Sequence, residues 1–156
     1  MLKLIQNNPY RFLGVCSNAP IAERLANSRR INAFLKVNKE VIFPLDLSDT
    51  LSPVHRSIEE LNKVTNSINL PQDQLKFSLF WFIRVSSIDK MALEYLQNGN
   101  LSKALELWGK KEDFSTLLNK GVLSFIMEDD GSAIHYITKF TTVPLKWTNR
   151  SLKSLK

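Results

Sequence analysis

The chain has a single cysteine, Cys16, among 156 residues. No disulfide can close within it and no thiolate cage can hold a metal, so a reducing cytoplasm is the expected compartment. Its five glycines and the absence of long alternating apolar runs argue against a β-sandwich. No apolar stretch approaches the ~20 residues needed to cross a bilayer. The opening Met1-Leu2-Lys3-Leu4-Ile5-Gln6-Asn7-Asn8 lacks the apolar centre and small-residue cleavage site of a secretory signal. No Gly-x-Gly loop is present to cradle a phosphate. Acid is missing from the last stretch altogether. Residues 1–130 carry 16 basic and 15 acidic side chains, whereas after Asp130 there are Lys139, Lys146, Arg150, Lys153 and Lys156 and no carboxylate. The net charge of +6 is therefore a property of the tail.

What remains is ordinary globular material, 44% hydrophobic and 23% charged, which argues against disorder. Its periodicity is helical. Pro9 suits the first turn of a short helix with Tyr10, Leu13 and Val15 inward. Ser17-Asn18-Ala19-Pro20 reads as a turn and N-cap. Over residues 20–36, Ile21, Leu25, Ser28, Ile31, Phe34 and Leu35 recur every three or four residues, predicting an apolar stripe with a basic back. Residues 37–51 lose that period, and Pro44, Asp46 and Asp49 mark a loop with Val41-Ile42-Phe43 as an extended piece. Ser52-Pro53 predicts the start of a helix through Val54, Ile58, Leu61, Thr65 and Ile68. Pro71 opens another, carrying Leu75, Leu79, Phe82 and Ile83. The run Phe80-Trp81-Phe82-Ile83 is apolar on every side and must be buried on more than one face.

Ser86-Ser87-Ile88-Asp89 supplies a further cap, followed by Ala92, Tyr95, Gly99, Leu101, Ala104 and Trp108. The small residues allow close helix approach, and Gly99-Asn100 makes the turn of a hairpin. Gly121, Ser124, Asp130 and Ala133 echo this spacing more weakly, with Asp129-Asp130-Gly131 as the turn. The expected architecture is all-α, with a helical unit over residues 1–85, helical hairpins over 86–140 packed on it, and a basic tail over 141–156.

Residues 9–81 resemble a J-domain through the opening Tyr10-Arg11-Phe12-Leu13-Gly14-Val15, the basic second helix, the loop and the third helix. The chain also resembles DnaJ-related proteins of Bacteroides-type bacteria in which such a region precedes helical repeats. Residues 91–140 resemble tetratricopeptide hairpins, although Lys111 stands where a small residue is usual. The first resemblance implies that Arg24, Arg29, Arg30 and Lys36 on the second helix face an acidic surface of a DnaK-type chaperone. The family's His-Pro-Asp, which transmits the signal to ATP hydrolysis, is replaced here by Lys36-Val37-Asn38. A partner that docks without stimulating the ATPase is the implied behaviour.

Groups suited to catalysis are few. His55 and Glu59 are spaced for one helix face, where a surface ion pair is the ordinary reading and a metal or proton-transfer pair the sharper one. His135 has no second histidine near it. Cys16 has no base or cation beside it in sequence to activate a thiolate. Glu112-Asp113 and Glu128-Asp129-Asp130 lack calcium-loop spacing and suit helix caps. Trp81 and Trp108 read as core, and Trp147 sits in the basic tail. The expected function is a non-catalytic interaction or scaffold protein without a cofactor. A nucleic-acid-associated protein acting through the basic helix and tail is the alternative.

Overall fold

The computed structural model describes residues 1–142, and every regular element among them is helical. The all-α architecture is thus established. Most of the basic tail, with Lys146, Trp147, Arg150, Lys153 and Lys156, lies outside the described residues. The described residues divide into two compact units, Lys3–Trp81 and, together with Met1–Leu2, residues 82–142.

The first unit contains α1 (Leu2–Gln6), α2 (Pro9–Phe12), α3 (Ile21–Lys36), a 3-10 turn (Pro44–Asp46), α4 (Ile58–Ser67) and α5 (Pro71–Ser78). Asn8 caps α2, its Oδ1 accepting from the Tyr10 amide at 3.0 Å, and Pro9 fills the first helical position. All four residues of α2 are buried, Arg11 included. Tyr10, Leu13, Val15, Ile31, Phe43 and Leu61 form the core around it. Gly14 follows α2 with φ of +68°, and a Cβ there would lie 2.2 Å from Cγ of Phe43. The glycine supplies both the left-handed turn and the room for that ring.

Several sequence expectations are corrected here. The stripe predicted for α3 is covered only toward its end: Ile31 is buried and Ser28, Phe34 and Leu35 are half-buried, whereas Ile21 and Leu25 are 53% and 50% exposed. Leu25 therefore does not share the core of Tyr10 and Leu61. No side chain caps α3; Pro20 occupies the cap position, and the Ser17 hydroxyl is buried without a partner. The following helix starts at Ile58, not at Pro53. Ser57 is its cap, with Oγ accepting from the Glu60 amide at 3.1 Å, while residues 52–57 are irregular. The next helix ends at Ser78, so Phe82 and Ile83 lie in a non-helical stretch. Of the run Phe80-Trp81-Phe82-Ile83 expected to be buried, Trp81, Phe82 and Ile83 are, while Phe80 is half-buried.

The second unit is a run of α6 (Ser87–Gln97), α7 (Leu101–Gly109), α8 (Phe114–Ile126) and α9 (Asp130–Thr142), each packed on the next. Ser86, Asn100, Asp113 and Asp129 each accept an amide proton from the first turn that follows. The acidic clusters thus supply two helix caps, as their spacing indicated. The last turn falls at residues 127–129, with Glu128 at φ +58°, and Gly131 is already helical. Ala92, Ala104 and Ala133 are fully buried, and a Cβ on Gly121 would lie 3.1 Å from Ile137 Cγ1, so small residues do set close helix approach. Residues 115–126 of α8 are buried without interruption.

The glycines yield a paired prediction. Gly14→Ala meets both a left-handed backbone and the Phe43 ring, and lowers unfolding free energy by ~3 kcal/mol. Gly99→Ala has φ +77° but open space around it, and costs only ~1 kcal/mol. Urea denaturation of the two variants beside the parent checks the difference, and equal losses would exclude the steric role of Phe43.

Candidate functional site

The four basic residues expected to meet a partner all lie on α3, but they do not share one face. Positions seven apart fall within ~20° of each other around a helix at ~100° per residue. Arg29 and Lys36 form one such pair; Arg24 and the buried Ile31 form another. Arg24 is accordingly half-buried, and its Nε lacks a hydrogen-bond partner. Arg30 lies over the rings of Phe34 and Phe43, 5.6 and 5.5 Å from their centroids. Arg29 and Lys36 are exposed and form no ion pair among the described residues.

The side of α3 that carries Arg29 and Lys36 also carries Ile21, Leu25, Ser28 and Asn32. Between it and α4 runs a groove of about 200 Å3, lined by Ser28, Arg29, Asn32, Ile58, Leu61 and Thr65 among others. Ile58 is 43% exposed at its edge. The result is a surface of apolar side chains, neutral hydrogen-bonding groups and two uncommitted cations. Lys36-Val37-Asn38 form the end of this helix. Asn38 takes φ of +52°, with its amide donating to Leu35 O and the Lys39 amide to Phe34 O, and so stops α3 as a left-handed cap.

Sequence reasoning missed the most connected polar cluster. Arg11 Nε and Nη2 donate to the Asp46 carbonyl at 3.1 and 2.6 Å, Nη2 also to Ser52 O at 2.7 Å, and Nη1 to Gln6 O at 2.8 Å. Arg56 grips the Asp46 carboxylate with both terminal nitrogens, at 2.9 and 2.6 Å, and donates to Phe12 O and Val41 O. The Asp46 Oδ2 further accepts from the Phe43 amide at 3.1 Å. Burial and the Arg56 charge pull the Arg11 guanidinium below its usual value while Asp46 raises it, yet arginine stays protonated in proteins. These guanidiniums are committed to holding residues 41–56 against α2. Arg11 gave no signal of this role except its place inside an otherwise apolar motif.

A second buried hub lies in the other unit. Asp89 Oδ1 accepts from Trp108 Nε1 at 3.0 Å and from Asn119 Nδ2 at 3.2 Å, while Oδ2 accepts from the amides of Val85 and Ser86 at 3.0 Å. Asn119 also exchanges two 2.9 Å bonds with the Ile83 backbone. Phe82 stacks on Trp108 with centroids 5.8 Å apart. Every donor and acceptor here faces protein, which makes the hub structural.

The residues nominated for chemistry are dispersed. His55 is exposed and outside the helix, and Glu59 pairs instead with Lys63 at 3.2 Å, so the one-face pairing of His55 with Glu59 does not form. His55 lines a cleft of about 180 Å3 with Glu40, Ile42 and Val54, whose deeper groups Asp46 and Arg56 are already paired. His135 is exposed and lies edge-on to Tyr136, 5.5 Å between centroids. Cys16 is buried. Lys120 is also buried, its amine pushed below the usual range by desolvation, with Nζ 4.5 Å from the Tyr136 ring centre. Among the described residues no three His, Cys, Asp or Glu side chains converge as metal ligands, and no helix is long and apolar enough to cross a membrane. No protein-family model matches the chain, nor does any curated protein or solved structure.

The Asp46 cluster sets a stability prediction. Asp46→Ala leaves Arg56 buried beside Arg11 without a counter-charge and costs about 3–5 kcal/mol of unfolding free energy. Arg56→Lys loses the planar fork and costs a comparable amount. Denaturation within ~1 kcal/mol of the parent for both would remove the cluster from its structural role.

Proposed function

We propose that the protein is a non-catalytic interaction protein that offers the outward face of α3 to a protein partner. The observation that carries this reading is the exposure of Ile21 and Leu25 on the side of α3 that also carries Arg29 and Lys36, with Arg29 lining the groove to α4. Covering the exposed part of each apolar side chain favours a complex by ~1 kcal/mol, and two uncommitted cations add selectivity for an acidic partner surface. The J-domain likeness of residues 9–81 nominates a DnaK-type chaperone as that partner. The chain is then a degenerate co-chaperone: it docks through the helix but lacks the group that triggers ATP hydrolysis, because a helix cap stands where His-Pro-Asp would act. The reading places it in the cytoplasm, where Cys16 stays a thiol. Nucleic-acid binding draws less support, since Arg24 and Arg30 point away from the face that Arg29 and Lys36 share.

Titration of the full chain against a DnaK-type chaperone, with ATP turnover followed in parallel, tests the proposal. Expected are salt-sensitive binding and unchanged turnover. Leu25→Glu and Arg29→Glu each weaken the complex about 5–10-fold, equivalent to ~1 kcal/mol, without lowering the melting temperature. Accelerated turnover, or binding indifferent to both substitutions, overturns it. Failure to bind any such chaperone removes this partner.

A further inference from the structure

The stretch 69–80, which includes α5, contains no buried residue, although Ile68 before it and Trp81 after it are 5% and 0% exposed. A helix normally holds its place by burying one stripe, and α5 does so only in part: Asp73, Gln74, Phe77 and Ser78 are half-buried. Its Leu70, Leu75 and Leu79 face solvent. Much of what fastens it is polar. Asn8 Nδ2 donates to the carbonyls of Phe77 and Phe80 at 2.9 and 3.3 Å, and the Tyr10 hydroxyl donates to Gln74 O at 3.3 Å. Gln74 Nε2 closes the near end on Ile68 O at 2.8 Å. The far end is fixed by the Trp81 indole, which donates to Val15 O at 2.9 Å.

We propose that residues 69–80 form a strap that opens as a unit about its pinned ends, latched over α2 by Asn8 and Tyr10, without unfolding of the remainder of Lys3–Trp81. The physical basis is an imbalance. The strap has no fully buried residue to hold it shut, only the half-covered rings of Phe77 and Phe80, whereas both flanking residues are core. Both latch residues are themselves almost wholly buried, so opening uncovers the α2 surface that carries them. Local opening of this kind belongs to elements with few buried contacts and bonds at the low-stability end of a fold.

Hydrogen exchange of the full chain, resolved by peptide, tests the strap without any substitution. Amides of residues 73–80 are expected to exchange at least ~100-fold faster than those of α4 around Leu61, through an opening insensitive to low denaturant. Asn8→Asp keeps the Oδ acceptor that caps α2 but removes the donor to Phe77 and Phe80, and it raises strap exchange about tenfold while α4 is unchanged. Tyr10→Phe removes one bond and raises it about fivefold. Strap amides that exchange only with global unfolding overturn the proposal. So does strap exchange that neither variant alters.

Discussion

Two buried guanidiniums hold the first unit together. Residues 37–57 form a long connection with only a 3-10 turn inside it, and such a stretch leaves carbonyls that no helix or ladder satisfies. Arg11 and Arg56 supply the donors. Each can offer five N–H groups in a fixed plane, which no other side chain does. Two cations face one carboxylate, Asp46, so Coulomb pairing alone does not balance the charge. The remainder comes from carbonyl dipoles: Gln6 O ends α1, Phe12 O ends α2, and a helix C-terminus carries partial negative charge. Carbonyls at the ends of the short opening helices thus solvate the arginines that pack the loop on them. Phe43 completes the arrangement, its ring under Arg56 at 4.9 Å and against Gly14.

The second unit solves the same difficulty with the opposite sign. Residues 82–85 are non-helical and buried at Phe82 and Ile83, so their amides need acceptors. Asp89 takes the amides of Val85 and Ser86, and Asn119 takes that of Ile83. The same two side chains bind each other and Trp108, which ties the entering segment to α6, α7 and α8 at one point. Asp89 serves twice, since it is also the residue whose amide is capped by Ser86. A local cap and a long-range core contact are therefore one feature.

This explains what could and could not be seen in the sequence. The caps at Ser86, Asp113 and Asp129 and the proline at the start of α2 depend on neighbours within four residues, and they were legible. So were Trp81 and Trp108 as core. The start of α4 was not, because Ser52-Pro53 and Ser57 are equally good local signals; Arg56 can reach Asp46, Phe12 and Val41 only if residues 52–57 stay extended. The end of α5 was hidden for a similar reason. Phe80-Trp81-Phe82-Ile83 fits a buried helix as well as a buried extended segment, and the decision rests on Asn119, 36 residues on. The α3 stripe misled because three- and four-residue spacing shows that a helix has an apolar face, not that anything covers it.

Burial separates the arginines by what they can do. Arg11 and Arg56 have their N–H groups turned to carbonyls and carboxylate and are shut from solvent, so neither can be shared with a ligand without dismantling the loop. Arg24 lies on the side of α3 that Ile31 buries. Of the four basic residues considered on α3, Arg29 and Lys36 are the two that can change partners at no cost to the fold. Ile21 and Leu25 stand in the same position among the apolar residues: the core around Tyr10 is complete without them. Ile21 and Leu25, half-exposed on the side of α3 that also carries Arg29 and Lys36, add little to the core where they stand. The proposed interaction therefore rests on this face and not on the better-connected arginine cluster, whose groups are already committed.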